Sequence, residues 1–376
     1  MTTKFLHLCS TAMLAVLIAG TLAACSDQDD DDKNGNAITV QFTLSVNEAS
    51  TGTRATAPPE GTGTWQNYDP QGEADDYENA IDVDKLNVYF YNTSGDYVGK
   101  VDNMTAYHDA TKKNVYHIVG KMDIPADDLV NNQFAGRMVV YANMDTPSTA
   151  AWTSTSTDIL GASYTFDPAN PTYIPMWGVR SVSFTATPGT QQTLDDVYML
   201  RATAKVTVQL DETIMKGWTI ERITMNRWNN KGYCLPSWVN GLDDTQALSF
   251  NQSEHIYAAT GDEAAVLQTT PLDFTTSTAS TTSKNLYLPE YDNTSAGVTP
   301  ATISVMLRKP DGTSEGKTYT LQFAQYDSND APTGSPYDIV RNHWYQYTIY
   351  KNSERTLSVK LTVRKWNVET HPTIVM

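Results

Sequence analysis

Of the three cysteines in the sequence, Cys9, Cys25 and Cys234, only Cys25 stands where chemistry is asked of its thiol. It follows Leu22-Ala23-Ala24, and this tetrad closes an N-terminal segment that carries a positive residue, Lys4, and an apolar stretch from Ala12 to Gly20. That is the pattern of a secretory signal ending in a lipobox, where the cysteine is lipidated and becomes the mature N-terminus. The apolar run is too short to span a bilayer. Ser26-Asp27-Gln28 and the run Asp29 to Asp32 follow at once, an acidic stretch that cannot continue a membrane helix. Residues 1–24 therefore read as a lipoprotein signal peptide and residues 25–37 as an acidic tether.

The remaining reactive side chains assemble no recognisable catalyst. His7 and His371 lie at the ends, and His108, His117, His255 and His343 lack the His-x-x-x-His or His-Glu-x-x-His spacing of a zinc site. The Gly-x-Ser-x-Gly elbow, the Gly-x-Gly-x-x-Gly turn and the P-loop are absent, so hydrolase and nucleotide readings have no support. The Asp27–Asp32 run departs from a calcium loop because Asp32 stands where that loop needs glycine. Carboxylates are abundant, but two of them become an acid–base pair only in a cleft, and a solvated surface is the simpler reading. No catalytic residue, metal or cofactor is nominated. With 43 Asp and Glu against 26 Lys and Arg, and no basic stripe with interleaved aromatics, nucleic acid is excluded as a partner.

The elements that would carry any function are strands. From Ala37 onward apolar residues recur at every second position, and segments with the 3.6-residue period of an amphipathic helix are scarce. The cleanest alternation is Ile38-Thr39-Val40-Gln41-Phe42-Thr43-Leu44-Ser45-Val46, which puts Ile38, Val40, Phe42, Leu44 and Val46 on one face. Residues 86–91 and 97–99 read as a hairpin around Asn92-Thr93-Ser94-Gly95-Asp96. Further strands are predicted at 137–142, 179–186, 202–210, 219–225, 303–307, 319–323, 344–350 and 357–363. A short helix is predicted at 125–132, capped by Asp123. Long Ser/Thr/Asn/Gly/Pro-rich stretches at 49–63, 146–173 and 275–284 read as surface loops. Cys234 alone remains in the mature domain, so no intrachain disulfide forms and burial with strand pairing must hold the fold. The fold class is all-β, two β-sandwich domains in tandem, divided near 195–200 into 38–196 and 197–376. Eight Trp and twenty-one Tyr suit polar interfaces, yet their period-two placement in 86–91 and 344–350 favours core or sheet surface.

One proteolytic site stands out by isolation. Arg54 is the only Arg or Lys between Lys33 and Lys85, and it lies in a Gly/Thr/Ala/Pro-rich loop directly after the 38–46 strand. Five buried side chains at about 1.5–3 kcal/mol each make that strand costly to lose, so its removal would leave a groove that another strand can refill. Leu357, Val359, Leu361 and Val363 alternate in the same way, and so does the end of the tail, Thr373-Ile374-Val375-Met376. Either could serve as donor by β-strand addition, or 357–363 is simply the last strand of the second domain.

The order of these features resembles the FimA-like fimbrillins, type V pilus subunits of Gram-negative gut and oral anaerobes. The resemblance rests on the lipobox with its acidic tail, the 38–46 strand, Thr53-Arg54-Ala55-Thr56 and the strand–turn–strand of 85–98. Ile174-Pro175-Met176-Trp177-Gly178, Leu200-Arg201-Ala202-Thr203-Ala204-Lys205-Val206 and Val340-Arg341-Asn342-His343-Trp344-Tyr345 complete it. The resemblance implies two sandwiches of transthyretin-like or Greek-key type and export as an outer-membrane lipoprotein. It implies cleavage between Arg54 and Ala55 by an arginine-specific protease, then polymerisation with other fimbrial subunits by strand exchange. The surface fimbrium so formed would serve adhesion to a host or bacterial receptor. Related anchor subunits keep their lipid and are not cleaved. A glycan-binding surface lipoprotein is the competing reading from a different class.

Overall fold

The computed structural model describes residues 37–46, 78, 80–108, 115–144, 163–169, 171–235, 266–274, 281–327, 331–334, 336–351 and 357–365. Their regular structure is strand throughout, apart from short 3-10 turns. In the N-terminal half these are β1 (Ala37–Val46), β2 (Asn87–Asn92), β3 (Tyr97–Lys100), β4 (Asp102–His108), β5 (Val115–Asp123), β6 (Gln133–Ala142), β7 (Ser163–Thr165), β8 (Met176–Thr185), β9 (Gln191–Thr193) and β10 (Val197–Arg201). The C-terminal half adds β11 (Ala204–Leu210), β12 (Thr219–Met225), β13 (Trp228–Asn229), β14 (Lys231–Tyr233), β15 (Leu267–Gln268), β16 (Leu272–Asp273) and β17 (Ser283–Leu288). It continues with β18 (Thr302–Arg308), β19 (Ser314–Gln322), β20 (Gln325–Tyr326), β21 (Pro332–Thr333), β22 (His343–Lys351) and β23 (Leu357–Lys365).

Apart from β7, the N-terminal strands form one path, β3-β2-β6-β8-β10-β1-β5-β4, with β9 attached to β1. The path doubles over a single core, because β3 and β4, its two ends, are joined through one buried residue, Val101, whose N–H donates to the Val88 carbonyl at 2.9 Å. The closure is tight: a Cβ added at Gly99 on β3 would lie 3.0 Å from the Asp123 carbonyl at the end of β5. Phe90, Phe134 and Phe184 meet in this core with ring centroids 5.3–6.3 Å apart, alongside Ile38, Val40, Phe42 and Leu44. The C-terminal core is enclosed by two four-stranded sheets, β17-β11-β22-β23 and β16-β12-β18-β19. Tyr345 and Tyr347 face into it against Phe323, as the period-two placement required.

Two local expectations change. The segment predicted as a helix at 125–132 is a single 3-10 turn, Ala126–Asp128, without a side-chain cap, and Asp123 is the last residue of β5. Asn131 and Asn132 take φ values of 54° and 60°, and Val130 and Gln133 bridge across them, so the chain reverses into β6 instead of coiling. The predicted strand 202–210 begins only at Ala204, because Ala202 and Thr203 carry the chain from the first sheet to the second.

Candidate functional site

β1 lies in the interior of the first sheet, paired along both edges. On one side it runs antiparallel to β5 from Ala37↔Asp123 to Ser45↔Val115. On the other it runs parallel to β9, Thr39↔Gln191 to Gln41↔Thr193, and then to β10, Leu44↔Val197 to Val46↔Met199. Ile38, Val40, Phe42, Leu44 and Val46 are each 4% exposed or less, which is the one-sided burial that the alternation demands. The outward residues fix the register: Gln41 Nε2 donates to Thr193 Oγ1 at 2.9 Å, and Gln191 Nε2 donates to Gln41 Oε1. Loop backbone completes the edge, with Thr39 N on the Thr190 carbonyl and Leu194 N on the Gln41 carbonyl. A chain segment in this slot satisfies two sets of strand partners, and withdrawing it would orphan both.

The second set of candidate strand residues lies elsewhere. β23 is hydrogen-bonded along its length to β22, from Leu357↔Lys351 to Lys365↔His343. Val359 is buried in the C-terminal core, and Leu361 and Val363 pack against it. Among the described residues β23 is thus the outermost strand of its own sandwich. Cys25, Arg54, Ala55 and the tail residues 373–376 lie outside the described residues. Among the described residues no cluster of three His, Cys, Asp or Glu could hold a metal, and no helix is long and apolar enough to cross a membrane.

Between the two cores sits a cluster that the strand pattern did not disclose. Tyr287, Lys205 and Trp344 form one row across β17, β11 and β22, and Tyr287 and Trp344 pack into the N-terminal core. Glu78 reaches this row from the N-terminal side. Its carboxylate accepts Lys205 Nζ at 2.7 and 3.0 Å and the Tyr287 hydroxyl, while its backbone carbonyl accepts Arg201 Nε at 3.0 Å. Burial pushes the Glu78 carboxyl up, but the charges of Lys205 and Arg201 with the bonds from Lys205 and Tyr287 prevail and hold it below the usual range. Lys205 also lies over the Trp344 ring, 4.8 Å from its centroid.

A second buried pair braces the same region. Arg341 Nε and an outer guanidinium nitrogen bond the Glu290 carboxylate at 2.8 and 2.6 Å, and the guanidinium also donates to the carbonyls of Tyr233 and Cys234. Those carbonyls close the arm that carries β14, which pairs with β7 of the N-terminal half. Burial pulls the Arg341 pKa down, and Glu290 more than restores it. Cys234 is buried, and burial pushes its thiol up to about 12, so it is not a reactive group.

Fold and site together define a protein of two tandem β-sandwiches whose chemistry lies in strand pairing and in the packing between its cores. Residues 64–372 match the family described as fimbrillin-A associated anchor proteins Mfa1 and Mfa2, and the chain belongs to that family. It is a fimbrial structural protein and not an enzyme, in keeping with the fimbrillin resemblance of its sequence. In fold it is similar to the solved structure of the tip fimbrial protein Mfa3 from Porphyromonas gingivalis with a C-terminal truncation. That match has a TM-score of 0.50 and 15% identity, over 88% of this chain and 100% of that one. A fimbrial assembly protein from Parabacteroides distasonis matches with a TM-score of 0.45 and 10% identity, over 88% and 95% of the two chains. No curated protein sequence matches.

Proposed function

We propose that this chain is a fimbrial subunit that reaches the outer surface as a lipoprotein on Cys25, is cut between Arg54 and Ala55, and joins other subunits by exchange of β1 for a donor strand. The observation that supports this reading is the position of β1. It is an interior strand with five buried side chains, and the sequence between it and Lys85 contains one arginine and no lysine. While tethered, β1 competes for its slot at high effective concentration, and cleavage removes that advantage together with the lipid. The partners are other fimbrial subunits, an arginine-specific protease and a surface receptor. For the domain division, expected as 38–196 and 197–376, the pairing of β10 (Val197–Arg201) with β1 and β8 supports a boundary moved to the 202–203 connector.

N-terminal sequencing of the surface form tests this, together with the ladder of Arg54→Ala in unheated denaturing gels. The expected result is Ala55 as first residue, and a membrane-bound monomer from the variant. Ladders that survive Arg54→Ala overturn strand exchange triggered at this site. The match to a family described as anchor proteins favours a second reading, in which β1 and the lipid are both retained. In that case the mature N-terminus is Cys25 and no ladder forms from either chain.

A further inference from the structure

Ala202 and Thr203, which join the two sandwiches, do not form a swivel. Ala202 N donates to the Pro175 carbonyl at 2.8 Å, the Ala202 carbonyl accepts the Tyr164 hydroxyl at 2.6 Å, and the Thr203 carbonyl accepts Asn342 N at 2.8 Å. Arg201 directly precedes this connector and Lys205 follows it by two residues, both buried and both bonded to Glu78. Glu78 therefore holds the connector from outside it. It is bound at once to the last strand of the first sheet, through Arg201, and to two strands of the second, through Lys205 and Tyr287.

We infer that Glu78 is a latch that makes the two sandwiches a single rigid and cooperative body, so that β10, which borders the β1 slot, is coupled through Arg201 and Glu78 to the second sandwich. The geometry favours coupling over a local contact. β10 pairs with Leu44, Ser45 and Val46 of β1, and after the two connector residues the chain enters β11. Opening the hinge would break the Glu78–Lys205 pair together with the Tyr287 and Arg201 bonds to Glu78, and would expose Tyr287 and Trp344, which pack into the N-terminal core. The inference holds whether or not β1 is ever exchanged.

The test uses the full chain. Native-state hydrogen exchange on the wild type, followed with rising denaturant, should show the slowest amides of β5 and β18 opening together with one free energy. Two separate opening free energies overturn the inference without any variant. Glu78→Ala leaves Lys205 buried without its partner and can simply fail to fold. The deciding variant is therefore Glu78→Gln with Lys205→Met, which leaves neither charge. It should unfold in two calorimetric transitions where the wild type shows one, the lower falling at least about 5 °C below the wild-type midpoint, and small-angle scattering should show a longer, more variable particle. A single transition with an unchanged scattering profile overturns the latch.

Discussion

Lys205 Nζ sits 2.7 Å from one carboxylate oxygen of Glu78 and 3.0 Å from the other, across 127 positions of sequence. Both side chains are 3% exposed or less, so neither ion regains hydration if the other is lost. Breaking the pair from one side leaves an uncompensated buried charge. Lys205→Ala or Glu78→Ala should destabilise the chain by about 3–5 kcal/mol in urea unfolding. Asp273→Ala, which breaks a pair with Arg222 that is about half exposed on both sides, should cost about 0–1 kcal/mol.

Acid should act on the same pair. Glu78 is held below the usual carboxylate range, so below about pH 4.3 the unfolded chain takes up a proton that the folded chain still refuses. The stabilisation is complete above that pH and is lost as pH falls through the folded pKa, with a limiting slope of about 1.4 kcal/mol per pH unit from this one group. Equilibrium unfolding from pH 6 to pH 2.5 should show a shallower acid limb in Glu78→Gln with Lys205→Met than in the wild type.

Much of the fold was legible because strand burial writes itself as alternation, and Ile38 to Val46 is the plainest case. β5 was missed for a physical reason. Its inward positions are Tyr116, Ile118, Gly120 and Met122, and glycine breaks the pattern where a Cβ would lie 2.3 Å from Val101 Cγ1. The junction was illegible as a site because its partners are far apart in sequence and charged residues read as surface. The quoted segments around Arg201, Lys205 and Arg341 marked the family, yet nothing local pairs them with Glu78 or Glu290. The one usable signal was a lysine at position 205 in a strand buried on both faces.

Two glycines separate packing from backbone strain. Gly232 on β14 stacks on Tyr164, and an added Cβ would lie 2.4 Å from the Tyr164 hydroxyl oxygen, itself committed to the Ala202 carbonyl, and 2.5 Å from the ring. Gly189 has nothing within 4 Å but holds φ at 71°. Gly232→Ala should therefore cost about 1–3 kcal/mol by crowding, whereas Gly189→Ala should cost about 1 kcal/mol by left-handed strain alone. Chemical denaturation of the two variants checks the difference. A Gly232→Ala, Tyr164→Phe double variant should show non-additivity, because the ring is then released from Ala202.

The slot of β1 makes the last prediction. A strand seated there must present apolar side chains at the positions of Ile38, Val40, Phe42, Leu44 and Val46 and satisfy β5 on one edge and β9 with β10 on the other. Since side chains alternate with a period of two, sliding the apolar set by one residue turns all five outward. In a chain cut after Arg54 and freed of its N-terminal fragment, a synthetic peptide of residues 37–46 should rebind and raise the melting temperature. Phe42→Ala in the peptide removes a core side chain worth about 3–5 kcal/mol, so its affinity should fall at least about a hundredfold. A peptide with its apolar and polar positions interchanged should not bind. Thr43→Ala, on the outward face, should bind within a few-fold of the parent. Equal binding of the interchanged peptide would mean that the slot does not read side-chain alternation, and that strand exchange at this position has no means of selecting its partner.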